Sequence, residues 1–177
     1  GNYIESGQWK IEISPVNIKN GEYQMWLPVS LGSNQETRFL EPDKEFTLTI
    51  PSTAENVISA GAYDVRYQSY ADFSGRGDQR YGVKKPDLVA PGVGILAAAV
   101  GGGESVRSGT SMATPFVTGS AALLMEWGIV RENDPYLYGE RMKGYLHRGA
   151  RRLQGYDRYP NDEIGYGRLC VSESLYQ

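Results

Sequence analysis

Apolar and polar positions change their rhythm along the chain, and each change predicts a different kind of element. At the start the rhythm is alternation. Trp9, Ile11 and Ile13 are separated by Lys10 and Glu12, the period of a half-buried strand. Asn20-Gly21 is a hairpin signal. After it Tyr23, Met25 and Leu27 share one face, and Gln24, Trp26 and Pro28 the other. A short run from Thr37 to Leu40 ends at Glu41-Pro42-Asp43, and Phe46 to Ile50 alternates again until Pro51. Strands at this spacing with turn residues between them predict part of an antiparallel sandwich. An accessory module and a substrate-recognition module have the same sequence signature here.

At Pro51 alternation gives way to short runs of small and β-branched residues. Val57 to Ala62 predicts a buried parallel strand. The polar stretch from Arg66 to Tyr81 reads as a loop. Leu88 and Val89 lie between Pro86 and Pro91, so at most a very short strand is expected there. Gly94 to Ala98 is another short strand candidate, and Gly101-Gly102-Gly103-Glu104 a turn. The glycine triplet lacks the Lys-Ser/Thr continuation of a phosphate loop.

Phe116, Val117, Ala121, Ala122, Leu123, Leu124, Met125 and Trp127 then form a run that is apolar on nearly every helical face. It predicts a helix buried on all sides, with Leu123 in the core. Asp134-Pro135 has the form of an N-cap followed by the first residue of a helix running to about His147. Arg148, Arg151 and Arg152 follow its end, where positive charge suits the helix dipole. Gly165 to Val171 reads as a turn, a short strand and a terminal segment, with Cys170 a buried small hydrophobe.

Composition narrows the picture. A chain of 177 residues with 40% apolar content can build one ordinary core. No apolar stretch reaches the roughly 18 residues of a bilayer span, so no membrane partner is expected. The net charge of −3 gives no reason to expect nucleic acid. The single cysteine excludes an internal disulfide, and no Cys or His cluster suggests a metal. No cofactor is expected.

The candidate chemistry sits just before the apolar helix, in Gly109-Thr110-Ser111-Met112-Ala113-Thr114-Pro115. Small residues make a tight lead into the helix, and Thr110 or Ser111 can sit near the N-cap. Pro115 fits only within about one turn of the helix start. A serine hydroxyl is thereby presented at the positive helix end, which favours a developing oxyanion. A Ser-His-Asp triad also needs an imidazole, and the only histidine is His147. Near the end of its own helix, His147 is expected to interact with terminal carbonyls or water, not to act as a base.

The heptapeptide resembles the nucleophile motif of the subtilisin-like serine proteases (peptidase family S8). Asn56 to Tyr63, Phe73 to Gly77, Lys85 to Gly92 and Gly165-Tyr166-Gly167 resemble later segments of the same catalytic domain. Residues 1–49 resemble the tail of a jelly-roll insertion in a bacterial subgroup that includes germination-specific proteases of spore-forming anaerobes. The implied fold is α/β. It is the C-terminal half of a parallel-sheet domain over 50–177, preceded by antiparallel strands over 1–49.

The resemblance implies peptide-bond hydrolysis with Ser111 as nucleophile, its backbone N–H as one oxyanion donor, and Met112 near the leaving-group side of the cleft. It implies a protein or peptide substrate, and an extracytoplasmic or spore-associated bacterial setting. The family's aspartate and histidine motifs precede the serine, and neither is found here. Asn2 does not reproduce the oxyanion asparagine context. The chain is therefore expected to be inactive alone, with the N-terminal half of the same protease as its partner, or to self-associate. The alternative is a pseudoprotease or regulatory peptide-binding module.

Overall fold

The structure, a computed structural model, describes residues 6–27, 37–78, 80, 82 and 84–175. The expectations for Asn2 and Pro28 lie outside the described residues. The chain divides into two compact units, Gly1–Thr37 and Arg38–Gln177.

In the first unit the described residues form neither strand nor helix. Trp9, Ile11, Ile13, Ile18 and Tyr23 are exposed. The predicted antiparallel strands are therefore corrected for residues 6–27. Alternation supplies a potential apolar face, but a strand also needs a neighbour for its main chain and a cover for that face. Neither is present among the described residues.

The second unit begins with an extended segment and not with the strands predicted over Thr37–Leu40 and Phe46–Ile50. Thr47 N–H donates to the Arg76 carbonyl at 2.9 Å, and Arg76 N–H returns a bond to Thr47 Oγ1 at 2.8 Å. The sheet starts at strand β1, Ala60–Asp64, which pairs antiparallel with the two-residue β2, Ser69–Tyr70. On its other side β1 pairs parallel with β3, Leu88–Pro91, from Ala60 opposite Leu88 to Tyr63 opposite Pro91. The order is β2-β1-β3. A parallel bridge joins Val89 to Arg168 on the far side of β3, and Arg168 in turn bridges Arg151.

β1 starts three residues later than the pattern suggested because Val57–Ser59 are tied elsewhere. Ser59 N–H donates to the Asp87 carboxylate at 2.6 Å, and Lys85 Nζ donates to the Val57 carbonyl. β3 is interior despite its prolines. Pro91 falls at its last position, and the next N–H, from Gly92, bonds Tyr63 O at 3.1 Å.

Strands β4, Ile95–Ala98, and β5, Glu104–Arg107, form a separate antiparallel hairpin. Helix α1, Thr110–Met125, follows directly and runs on through a π-helical turn, Glu126–Val130. Its Ala113, Val117 and Leu124 join Ala62, Leu88 and Ala90 of the sheet in one core with Leu137, Met142 and Leu146. The expectation of burial on all sides is corrected. Phe116 is 41% exposed and Leu123 is 53% exposed. The sheet covers one side of the helix, and no described element covers the other. The expectation that no apolar stretch has bilayer-spanning length is corrected as well. The 21 residues Thr110–Val130 reach it by length and composition. Their buried side chains pack on β1 and β3, as those of a core helix do.

Helix α2, Gly139–Arg148, starts four residues beyond the predicted Pro135. Asp134 does not cap it directly. Its carboxylate accepts from Tyr136 N–H at 3.3 Å and reaches forward to Arg141 Nε at 2.6 Å and the Tyr145 hydroxyl at 2.9 Å. It thus pins α2 from outside the helix. The chain closes with α3, Val171–Leu175. Cys170 is half-buried, not buried, with Sγ 3.3 Å from Ser172 Oγ.

Candidate active site

β1 and β3 are parallel, and the segment carrying Ser111 reaches the carboxyl end of β3. Open α/β sheets place ligands at that end. Gly92, just past β3, accepts from Gly109 N–H at 2.8 Å. A Cβ on Gly92 would lie 2.5 Å from Ala62 Cβ and 3.0 Å from Gly109 O, so only glycine allows this approach. Ser108 Oγ accepts from Gly94 N–H at 2.9 Å and ties the two arms of the hairpin together.

Gly109 is the N-cap of α1, with φ 155° and ψ 162°, a region open essentially to glycine alone. Its carbonyl accepts from Met112 N–H at 3.0 Å and Ala113 N–H at 3.3 Å. Neither Thr110 nor Ser111 caps the helix by its side chain, so the N-cap expectation for them is corrected. The two residues are the first two helical positions, whose N–H groups have no acceptor inside the helix. Pro115 lies deeper than expected, beyond the first turn. With no N–H, it cannot bond the Ser111 carbonyl. Thr114 and Thr118 back-bond to Thr110 O and Thr114 O at 3.0 and 3.1 Å.

Ser111 is exposed, and no described residue hydrogen-bonds its hydroxyl or its N–H. It opens onto a shallow, open cavity of about 420 Å³ lined by Val106, Arg107, Ser108, Gly109, Ser111 and Met112. Met112 lines the same cavity as Ser111. Arg107 was not singled out from the sequence. Only its position four residues before the serine could have drawn attention to it.

His147 does not line this cavity. Its Nε2 lies 3.0 Å from Asp87 Oδ1, and its ring stacks on Tyr166 with centroids 3.9 Å apart. The expected carbonyl or water contact is replaced by a buried carboxylate. Asp87 and Lys85 are only 1% and 3% exposed at their side chains, 2.6 Å apart, with Lys143 Nζ 3.5 Å away. Burial pushes the Asp87 carboxyl up. Hydrogen bonds from His147, Lys85 and the Ser59 N–H outweigh it and hold the carboxyl below its ordinary value. Burial, partly offset by Asp87, lowers the Lys85 ammonium. At Cys170, burial raises the thiol, but the bonds from Ser172 and the Glu173 N–H and the charge of Arg151 bring it below its ordinary value. Among the described residues no group of His, Cys, Asp or Glu is placed to hold a metal ion.

Sequence comparison assigns the chain to a family. The subtilase family (peptidase S8) profile covers residues 8–167, and the chain belongs to that family. The chain is similar to the serine protease AprX of Bacillus subtilis, at 33% identity over 76% of this chain and 33% of AprX. It is similar to the human membrane-bound transcription factor site-1 protease, at 36% identity over 70% of this chain and 12% of that protein. Among solved structures, the Clostridium perfringens CspB protease superposes with a TM-score of 0.77 at 50% identity, over 81% of this chain and 31% of CspB. The patellamide maturation protease PatA gives a TM-score of 0.59 at 32% identity, over 75% of this chain and 46% of PatA. The fold is the α/β fold of these subtilases. The chain spans about a third of the length of AprX and of CspB.

Proposed function

We propose that this chain carries the nucleophile of a serine endopeptidase whose histidine and aspartate come from outside it. The observation that carries this reading is Ser111 itself: exposed, facing a cavity, with hydroxyl and N–H both unengaged among the described residues. Ser111 Oγ attacks the scissile carbonyl of a protein or peptide substrate, and its proton passes to a histidine supplied by the N-terminal half of the protease. The Ser111 N–H, at the positive end of α1, donates to the forming oxyanion. Met112 flanks the leaving-group side. His147 is already held by Asp87 and Tyr166, which removes the chain's only imidazole from this role.

The same N-terminal half would cover Phe116 and Leu123 on the open face of α1, since this chain matches only 31% of CspB. Alone, the chain self-associates through that face and hydrolyses peptides poorly. Loss of triad members lowers kcat by about 10⁴–10⁶. The test is peptide hydrolysis by the full-length protein and its Ser111→Ala variant. Activity abolished by the substitution supports the reading. Activity that survives it refutes the assignment. Peptide binding with no cleavage by the unsubstituted protein would mean that the binding-module alternative is correct.

A further inference from the structure

We propose that Arg107 makes this site selective for peptides with an acidic side chain within about two residues of the scissile bond. The inference rests on Ser111 being the nucleophile and names the substrate class for that same site. Arg107 is the last residue of β5 and lines the cavity that Ser111 opens onto. It is the only charged residue among those lining the cavity, with Val106, Ser108, Gly109 and Met112 as its neighbours there.

Its charge is unspent. Arg107 is exposed, and no described carboxylate pairs with it. Ile95 stands opposite it on β4, and the nearest acid on its own strand, Glu104, stands opposite Ala98 at the far end of the hairpin. Other arginines are engaged: Arg66 pairs with Asp64, Arg76 with Glu45 and Glu163, Arg131 with Glu126, Arg141 with Asp134, and Arg151 with Glu173. A guanidinium with no partner among the described residues, lining the same cavity as Ser111, offers a bidentate fork to an incoming carboxylate.

Arg107 and Ser111 line the same cavity, and extended peptide advances about 3.3–3.6 Å per residue, so a side chain one or two residues from the carbonyl at Ser111 passes along the wall that carries Arg107. β5 is an edge strand of a two-stranded sheet, with β4 on one side and no described strand on the other. An extended peptide can lie along that free edge by main-chain hydrogen bonds, which brings its side chains past Arg107. The chain's net charge of −3 does not attract acidic peptides, so the preference is local to this residue.

The test uses the full-length protein, its Arg107→Glu and Arg107→Gln variants, and a mixed peptide library with cut sites read by mass spectrometry. Asp and Glu should be enriched within two residues of the cut for the unsubstituted protein. The enrichment should vanish for Arg107→Gln and give way to Lys and Arg for Arg107→Glu, each by about fivefold, as for an exposed ion pair. Enrichment before or after the cut tells which side of the bond Arg107 reads. Identical cut profiles in all three proteins overturn the proposal.

A second readout is independent of cleavage. Anisotropy of labelled acidic and basic peptides is measured on the Ser111→Ala protein with and without Arg107→Glu. A preference for acidic peptides that reverses with Arg107→Glu supports the proposal, and equal binding overturns it. Failure of the nucleophile reading appears separately, as hydrolysis that survives Ser111→Ala.

Discussion

Ser111 and Asp87 are associated with opposite ends of strand β3, and their hydrogen bonding is opposite too. Asp87, just before the strand, is buried and fully engaged. It takes bonds from Ser59 N–H, Lys85 and His147, with Lys143 close by. Ser111, reached through Gly92 beyond the other end, is exposed and engages nothing among the described residues. A polar group that holds a fold together uses its bonding capacity internally, since a buried unpaired charge is costly. A group proposed to react, as Ser111 is here, keeps its capacity for the substrate. The contrast separates two sets of residues that look equally polar in sequence.

The comparison breaks most visibly at Asp87. Replacing Asp87 with Ala should lower stability by about 3–5 kcal/mol, because Lys85 is left charged and buried. Urea unfolding of the variant measures it. A loss no larger than that of a surface substitution would put Asp87 in the same class as Ser111.

Next come the two faces of α1. Leu124 is fully buried, so Leu124→Ala should cost about 2–5 kcal/mol. Leu123 is half exposed, so Leu123→Ala should cost under about 1 kcal/mol in the isolated chain at dilutions where it is monomeric. Denaturant midpoints in the reverse order would mean that the open face is covered in solution.

Gly109→Ala sharpens the contrast at the serine end. At φ 155° a side chain is strained, by about 1–3 kcal/mol. Thermal unfolding should show that loss, and the full-length protein should lose hydrolysis as Ser111 shifts. Unchanged activity would contradict the role of the glycine cap in placing the serine.

The pH response should be milder and has a definite sign. The Asp87 carboxyl titrates lower in the folded chain than its ordinary 3.8. The unfolded state therefore binds its proton first as pH falls. Stability from Asp87 is complete above about pH 4 and is lost as pH falls through the folded value. Unfolding midpoints between pH 6 and pH 2.5 check this. The acid-side loss should be smaller in Asp87→Asn, with the remainder coming from other lowered carboxyls such as Asp134.

Legibility in the sequence followed the same divide. The Gly109–Pro115 heptapeptide placed Ser111 at the start of an apolar helix, where the structure has it, because a helix start is a local event written in adjacent residues. β4 and the glycine turn were legible for the same reason. The Asp87 cluster was not, because two of its partners, Ser59 and His147, stand 28 residues before it and 60 after it. No local pattern reports such a contact. Alternation at Trp9–Ile13 and the all-round apolar run at Phe116–Trp127 were read as if their partners were at hand. Pattern records which face can be buried, while burial depends on what covers it, and among the described residues nothing covers those faces.

The most direct test of the central claim is fluorophosphonate labelling of the full-length protein, with the modified peptide identified by mass spectrometry. The account predicts one adduct per chain, on Ser111, with the isolated 177-residue chain labelled far more slowly. Label on a different residue, or equally rapid labelling of the isolated chain, would contradict it.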